Sequence, residues 1–402
     1  MTDRTPLRIE ELKLDPGDRF ALTVDAGGMP SWWPNLYCSV VLRTDGLGFS
    51  TMHARMSAIC LFHNLCAEKG IDVDARIDSL DLFTAEELAA LRDELRVSLR
   101  DSSRNAANSG EGAVKNEHWK NRLFSVCDYI VWRADPVIDR MSLRDERLPE
   151  ARRRLAALPG KLIGRIRTRR NNVKEGMDEE AQKAFLDAIT PGHPTNPFKK
   201  RNQVRNYALW MLYWDAGLRR SEALVLAGRN LHLVGNDPYV FVPRVQDDRD
   251  DARAQEPRTK TLAHRATLSR ETADILSDYM IYDRPTYPGA KKSKYVFLSQ
   301  KGKPLGISAV ADMYERLRSL VAGLPDDFST HMLRRTHKDR MGDAAEETGM
   351  SPETEQQVVN AESGWTPQSK TGFGYQRRRL RKAGNRLGVR MMENTKRMRG
   401  NG

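Results

Sequence analysis

Four short clusters in the second half of this 402-residue chain combine residue types that can handle a phosphate. The first reads Gly217-Leu218-Arg219-Arg220-Ser221-Glu222. Gly217 permits a tight turn, Leu218 and Leu224 anchor it, and Arg219 heads a helix with Glu222 three residues on, within reach to orient it. A guanidinium held in that way offers a planar fork to a phosphate. The second cluster, Thr259-Lys260-Thr261, precedes Arg265-Ala266-Thr267-Leu268, and alternation around it predicts a hairpin that projects Lys260. The third, His331-Met332-Leu333-Arg334, sets an imidazole and a guanidinium on one helix face. One can exchange a proton near neutral pH; the other stabilises developing negative charge. The fourth is Gly364-Trp365, ten residues ahead of Gly374-Tyr375. A tyrosine is a weak nucleophile at its free pKa and needs cationic neighbours to lower the cost of the phenolate. Trp365 adds an indole N–H donor and an apolar wall. Taken singly, the same residues also fit a capping ion pair, a solvated strand lysine, a surface pair on a basic helix, and core aromatics.

In this order and spacing the four clusters resemble the tyrosine recombinase (phage integrase) family. Its first box, Gly-Leu-Arg-x-Ser-Glu, is met by Gly217 to Glu222, and its hairpin lysine by Lys260 with Arg265 to Leu268. His331 to Arg334 meet the His-x-Leu-Arg box, and Gly364-Trp365 with Tyr375 the third. The resemblance spans roughly residues 177–385. It implies that Tyr375 attacks a DNA phosphodiester in line, forming a 3′-phosphotyrosyl bond and releasing a 5′-hydroxyl. Arg219 and Arg334 would clamp the non-bridging oxygens, with Glu222 in support. His331 would assist proton transfer from the tyrosine, Trp365 would donate to a phosphate oxygen, and Lys260 would protonate the leaving oxygen. No metal, ATP or other cofactor is expected. The partners implied are double-stranded DNA and three further copies of the chain. That makes a tetramer on two DNA sites, a dimer on each, with accessory DNA-bending proteins compatible with it. Integration or excision of a mobile element is the role implied. The sequence departs from the family at Arg335, where His is usual, at His337, and in a longer polar stretch from Met341 to Ser363. The Trp365–Tyr375 spacing is one residue longer than the common one, and Trp replaces the commoner His. Two other readings share these residues: a type IB topoisomerase or telomere resolvase, and a DNA-binding relative that has lost activity. Tyr314 is the only other tyrosine after residue 300.

The elements that must position these clusters can be read from periodicity. Residues 1–46 form a mixed N-terminal extension, an arm-type DNA contact or a subunit contact, with Phe20 to Val24 alternating like a strand. Residues 47–158 are read as an all-α domain similar to the family's core-binding domain. Its helices start at Ser50 or Thr51, at the capping-box sequence Thr84-Ala85-Glu86-Glu87 running to Leu99, and at Trp119 running to Trp132. Residues 101–112 read as a loop, and 159–176 as a basic interdomain linker. The catalytic domain follows over 177–385, with helices from Asp178 and from Arg205 to Ala216. Strands are expected at Leu231–Val234, Tyr239–Pro243, within Arg258–Leu268 and at Val296–Ser299. The class is α+β: a mainly helical domain with a small antiparallel sheet, preceded by the all-α domain and followed by a basic tail over 386–402.

Composition bounds the partners. Lys+Arg number 66 against 54 Asp+Glu, a formal charge of +12, and hydrophobic residues make up 39%, as in a globular protein on the polar side. Residues 361–402 hold Lys370, Lys382, Lys396 and eight arginines against Glu362 and Glu393, so most of that excess sits at the C-terminus. Such a segment suits a polyanion, because neutralising phosphates releases condensed counterions. The longest near-apolar run, Tyr207 to Trp214, falls far short of the ~20 residues that span a bilayer. The first residues have no apolar core of a secretory signal, and Cys38, Cys60, Cys66 and Cys127 are scattered outside any CxxC pair. The scattered cysteines fit a reducing cytosol, and the family resemblance implies a cytoplasmic, nucleoid-associated setting in a bacterial or phage context.

Overall fold

The structure is a computed structural model; it describes residues 6–14, 18–97, 113–166, 175–245, 248, 250–253, 255–369 and 377–400. The chain divides into two compact units, 1–170 and 171–402, each with its own hydrophobic core. Among the described residues no helix is long and apolar enough to cross a membrane.

The first unit opens with an antiparallel hairpin, β1 (Arg8–Lys13) and β2 (Arg19–Val24), in the register Arg8↔Val24 to Lys13↔Arg19. Helices α1 (Trp32–Tyr37), α2 (Phe49–Glu68), α3 (Val73–Asp78), α4 (Ala85–Glu94), α5 (Asn116–Asp139) and α6 (Leu148–Leu162) follow. Thr84 caps α4 as its sequence predicts: the Glu87 amide donates to Thr84 Oγ1 at 3.2 Å and the Thr84 amide to Glu87 Oε2 at 2.8 Å. That helix stops at Glu94 rather than near Leu99, and the expected loop at 101–112 lies outside the described residues. Residues 18–46, read as an extension, share the helical core: Phe20, Ala21, Tyr37 and Leu42 pack with Met56, Ile59, Phe62, Leu123 and Ile130. The unit therefore carries a hairpin as well as helices. The Pro159-Gly160 pair does not begin a linker. It lies inside α6, because Leu155, Leu158 and Leu162 continue a buried stripe across it that outweighs the local breakers.

The second unit begins where the Asp178 carboxylate caps α7 (Glu179–Ile189) by accepting from the Ala181 amide at 2.9 Å. Helix α8 (Lys200–Asp215) lies in the core, with Leu209, Trp210, Leu212 and Tyr213 fully buried. Helix α9 (Arg220–Leu224) leads into a three-stranded antiparallel sheet of β3 (Leu231–His232), β4 (Tyr239–Val242) and β5 (His264–Thr267), in that order. Val240 pairs with Ala266 and Val242 with His264, and all four side chains face the interior. The Arg258–Leu268 stretch is a strand only from His264. Thr259 and Thr261 turn their hydroxyls to Pro243 and Glu222 instead, which pulls the chain out of the ladder. Val296–Ser299 joins no sheet; it carries one isolated bridge, Leu298↔Pro304, and another, Ala227↔Tyr295, precedes it. Helices α10 (Arg270–Asp278), α11 (Ile307–Leu320), α12 (Thr330–Glu347), α13 (Pro352–Glu362) and α14 (Arg377–Gly400) complete the unit. The mostly helical build with one small antiparallel sheet is the fold class read from the sequence. The basic tail is the continuation of α14, which runs unbroken past residue 386.

Candidate active site

The site is assembled around one carboxylate. Glu222, in the first turn of α9, is completely buried. Its Oε2 accepts the Arg219 amide at 2.7 Å, closing the start of the helix, and its Oε1 accepts Arg219 Nη1 at 2.7 Å. The same Oε1 accepts the Thr261 hydroxyl at 3.0 Å, and Arg334 Nη1 lies 3.6 Å from Oε2. Burial alone would push this carboxyl up, but Arg334, Arg219 and the Arg219 amide outweigh it and hold the pKa below its usual value. A charged carboxylate thus fixes two arginines and the residue next to Lys260.

Each partner is held from a second side. Arg334, in α12, is buried and donates to the Gly217 carbonyl at 2.7 Å. Gly217 has φ +59, and a Cβ there would stand 2.3 Å from the His337 ring, so both conformation and space demand glycine. Gly364 is equally constrained: φ is +64, and a Cβ would meet His264 Nδ1 at 2.4 Å and the Leu262 carbonyl at 2.6 Å. Its carbonyl accepts the Leu262 amide at 2.9 Å, and Glu362 accepts from the Thr267 amide and hydroxyl, both at 2.9 Å. The end of α13 is therefore locked to the strand that carries the lysine loop. Beyond it the Trp365 ring faces the Arg219 and Arg334 guanidiniums at 5.9 and 5.4 Å.

These parts enclose an open groove of about 350 Å³, walled by Arg219, Arg244, Lys260, Trp365, Thr366 and Ser369 among others. His331 is exposed in the first turn of α12 and is not part of the groove wall. Partial burial, then Arg335, Arg219, Arg334 and Arg220, push its pKa below 6.5, so the imidazole is neutral at pH 7. Tyr375 lies outside the described residues. The chain leading to it is held at the groove, where Asn360 Nδ2 donates to the carbonyls of Pro367 at 3.0 Å and Ser369 at 3.2 Å. Tyr314 is buried in the core, 4.7 Å from Trp210 ring to ring, and burial drives its hydroxyl well above 10. It cannot reach a substrate.

A sequence profile of the phage integrase family matches residues 177–365. Those residues are a phage integrase family domain, a domain of the tyrosine recombinases. No curated protein sequence matches the chain. Among solved structures, the XerH site-specific recombinase bound to palindromic difH substrate, a post-cleavage complex, is similar at TM-score 0.50 and 16% identity. That match covers 86% of this chain and 82% of the other and extends the likeness to the fold. The Tn1549 transposon integrase in complex with circular intermediate DNA matches at TM-score 0.44 and 15% identity, over 82% of this chain and 99% of that one.

Within the integrase domain, Arg219 and Arg334 meet Glu222 and face Trp365, and Arg219, Lys260 and Trp365 line the same groove. Two further residues were not singled out from the sequence. Arg244 lines the groove beside Lys260, and no local pattern marks it. Lys338 sits buried one helical turn beyond Arg334, where the i, i+4 spacing on α12 could have drawn notice. Burial, then repulsion from Arg334, pulls its amine down to about 7.

Proposed function

We propose that the chain is a site-specific DNA recombinase of the tyrosine class, with Arg219, Lys260, His331, Arg334 and Trp365 acting on the phosphodiester attacked by Tyr375. One observation carries this reading: a single buried carboxylate, Glu222, holds Arg219 and the Lys260 loop at one open groove, together with the buried Arg334, whose guanidinium packs against Trp365 of the groove wall. Two guanidiniums fixed in advance suit a phosphoryl-transfer transition state, whose extra charge collects on the non-bridging oxygens. The tyrosyl oxygen forms a bond to phosphorus as the 5′-oxygen departs. His331, neutral at pH 7, takes the phenolic proton and Lys260 supplies one to the leaving oxygen. The phosphotyrosyl ester keeps the bond energy, so attack by the 5′-hydroxyl of another strand reverses the step without ATP.

Exchange between strands needs several copies on DNA, and a tetramer with one dimer on each site supplies them. The exposed Leu387, Met391 and Met398 of α14 support a contact between copies there. Integration or excision of a mobile element is the proposed setting. A plasmid carrying two copies of the element's end sequence tests the activity. Recombinant circles are expected from wild type, and a fall of a hundredfold or more from Arg219→Ala or Arg334→Ala, the usual loss for a preorganised donor. Relaxation of supercoils without recombinants would instead assign topoisomerase chemistry, and binding alone would remove the catalytic reading.

A further inference from the structure

Among the described residues the groove wall holds three cations, Arg219, Arg244 and Lys260, and no carboxylate. Arg219 is paired with Glu222, a carboxylate it shares with Arg334. Arg244, exposed just after β4, and Lys260 have no ion-pair partner among the described residues. Their backbones are tied together. The Val245 amide donates to Thr259 Oγ1 at 2.6 Å, the Thr259 amide to the Val245 carbonyl at 3.2 Å, and the Thr259 hydroxyl to the Pro243 carbonyl at 3.0 Å. These bonds flank Arg244 on both sides and end one residue before Lys260. Thr259 itself is buried, so the pairing is anchored in the core. Two positive side chains without an ion-pair partner among the described residues thus line one groove with Arg219.

We infer that Arg244 is a positioning residue that grips a second phosphate, flanking the one that is cut, so that Lys260 meets the leaving oxygen in register. The inference rests on the recombinase reading of the groove and adds a contact to it. A planar guanidinium suits a non-bridging phosphate pair, which a strand offers at every step. The contact sets which phosphate of the strand is centred between Arg219 and Arg334, and it does no bond chemistry itself.

The test uses the full chain and the variants Arg244→Gln and Arg244→Lys. On a short duplex of arbitrary sequence, the dependence of log affinity on log salt should fall by about one for Arg244→Gln and stay unchanged for Arg244→Lys. On a nicked suicide duplex, single neutral methylphosphonates are placed in turn at the phosphates beside the cut. Arg244→Gln should slow adduct formation roughly tenfold to hundredfold, the worth of a charged hydrogen bond. One flanking methylphosphonate should slow wild type by the same factor and slow Arg244→Gln no further. An unchanged salt slope, or losses that multiply at every position, would overturn the inference. Absence of any adduct from wild type would strike at the recombinase reading instead, and the salt slope would still decide whether Arg244 grips a phosphate. Equal melting temperatures of the three proteins exclude a folding defect.

Discussion

Replacing Lys338 by Met should stabilise the integrase domain, by an amount that depends on pH. The amine is 3% exposed on α12, and its Nζ donates to the weak acceptor Met341 Sδ at 3.4 Å. Burial is the first cause of its depressed pKa; Arg334 and Arg219 repel the ammonium, while Glu362 and Glu222 attract it too little to compensate. The drop from 10.5 to about 7 corresponds, at ~1.36 kcal/mol per pH unit, to a cost on the order of 5 kcal/mol for the buried ammonium. The sign follows from proton counts. Below pH 7 both folded and unfolded states carry the proton, and the folded state bears the whole cost. Between about 7 and 10.5 only the unfolded state carries it, so wild-type stability rises with pH; above 10.5 the cost is gone. Met fills a similar volume without the amine. Urea unfolding of wild type and Lys338→Met from pH 6 to 10 should show the variant ahead by a few kcal/mol at pH 6. The gap should close steadily as pH rises, since other titrating groups are common to both proteins. Parallel curves, or a variant less stable at pH 6, would refute the reasoning.

Glu222→Gln leaves two guanidiniums beside a neutral amide; a loss of about 3–5 kcal/mol is expected in denaturant melts, with adduct formation lost as Arg219 and Arg334 separate. Gly364→Ala forces a Cβ against His264 and the Leu262 carbonyl at positive φ, so it should cost about 1–3 kcal/mol in stability. Because this shifts Trp365 and the lysine loop, cleavage should fall more than DNA affinity, as separate adduct and binding titrations would show. His331 stays neutral below an ordinary histidine's pKa, so the cleavage rate should hold through pH 6.5 and drop only in more acid solution. His331→Gln should be slower throughout and lack that acid limb. The buried His264, also pushed below 6.5 by burial, predicts stability falling with pH below 6.5, where the unfolded state takes up a proton the folded state resists; His264→Gln should flatten that fall.

What could be read in the sequence was local. Arg219 and Glu222 lie three residues apart, so one turn of helix brings them together whatever surrounds it. The Thr84 capping box and the Asp178 cap are legible for the same reason. The rest depends on contacts across the chain. Gly364 is constrained by His264, a partner far away in sequence, and nothing near residue 364 records it. Pro159-Gly160 reads as a break because breakers are judged locally, yet the stripe Leu155, Leu158, Leu162 carries the helix through. Val296–Ser299 has strand composition, but its neighbours offer only single bridges. Arg244 carries no spacing signal, since its place on the groove is set by hydrogen bonds between Thr259 and the residues on either side of it.

The central claim is that the groove between Arg219, Lys260 and Trp365 receives a phosphodiester attacked by Tyr375. A nicked suicide duplex carrying the element's footprinted end sequence measures this directly, with the covalent product digested and its modified peptide identified by mass. The account predicts a protein–DNA adduct from wild type, with the nucleotide on Tyr375, and none from Tyr375→Phe. No adduct from wild type, or one that persists in Tyr375→Phe, would contradict it.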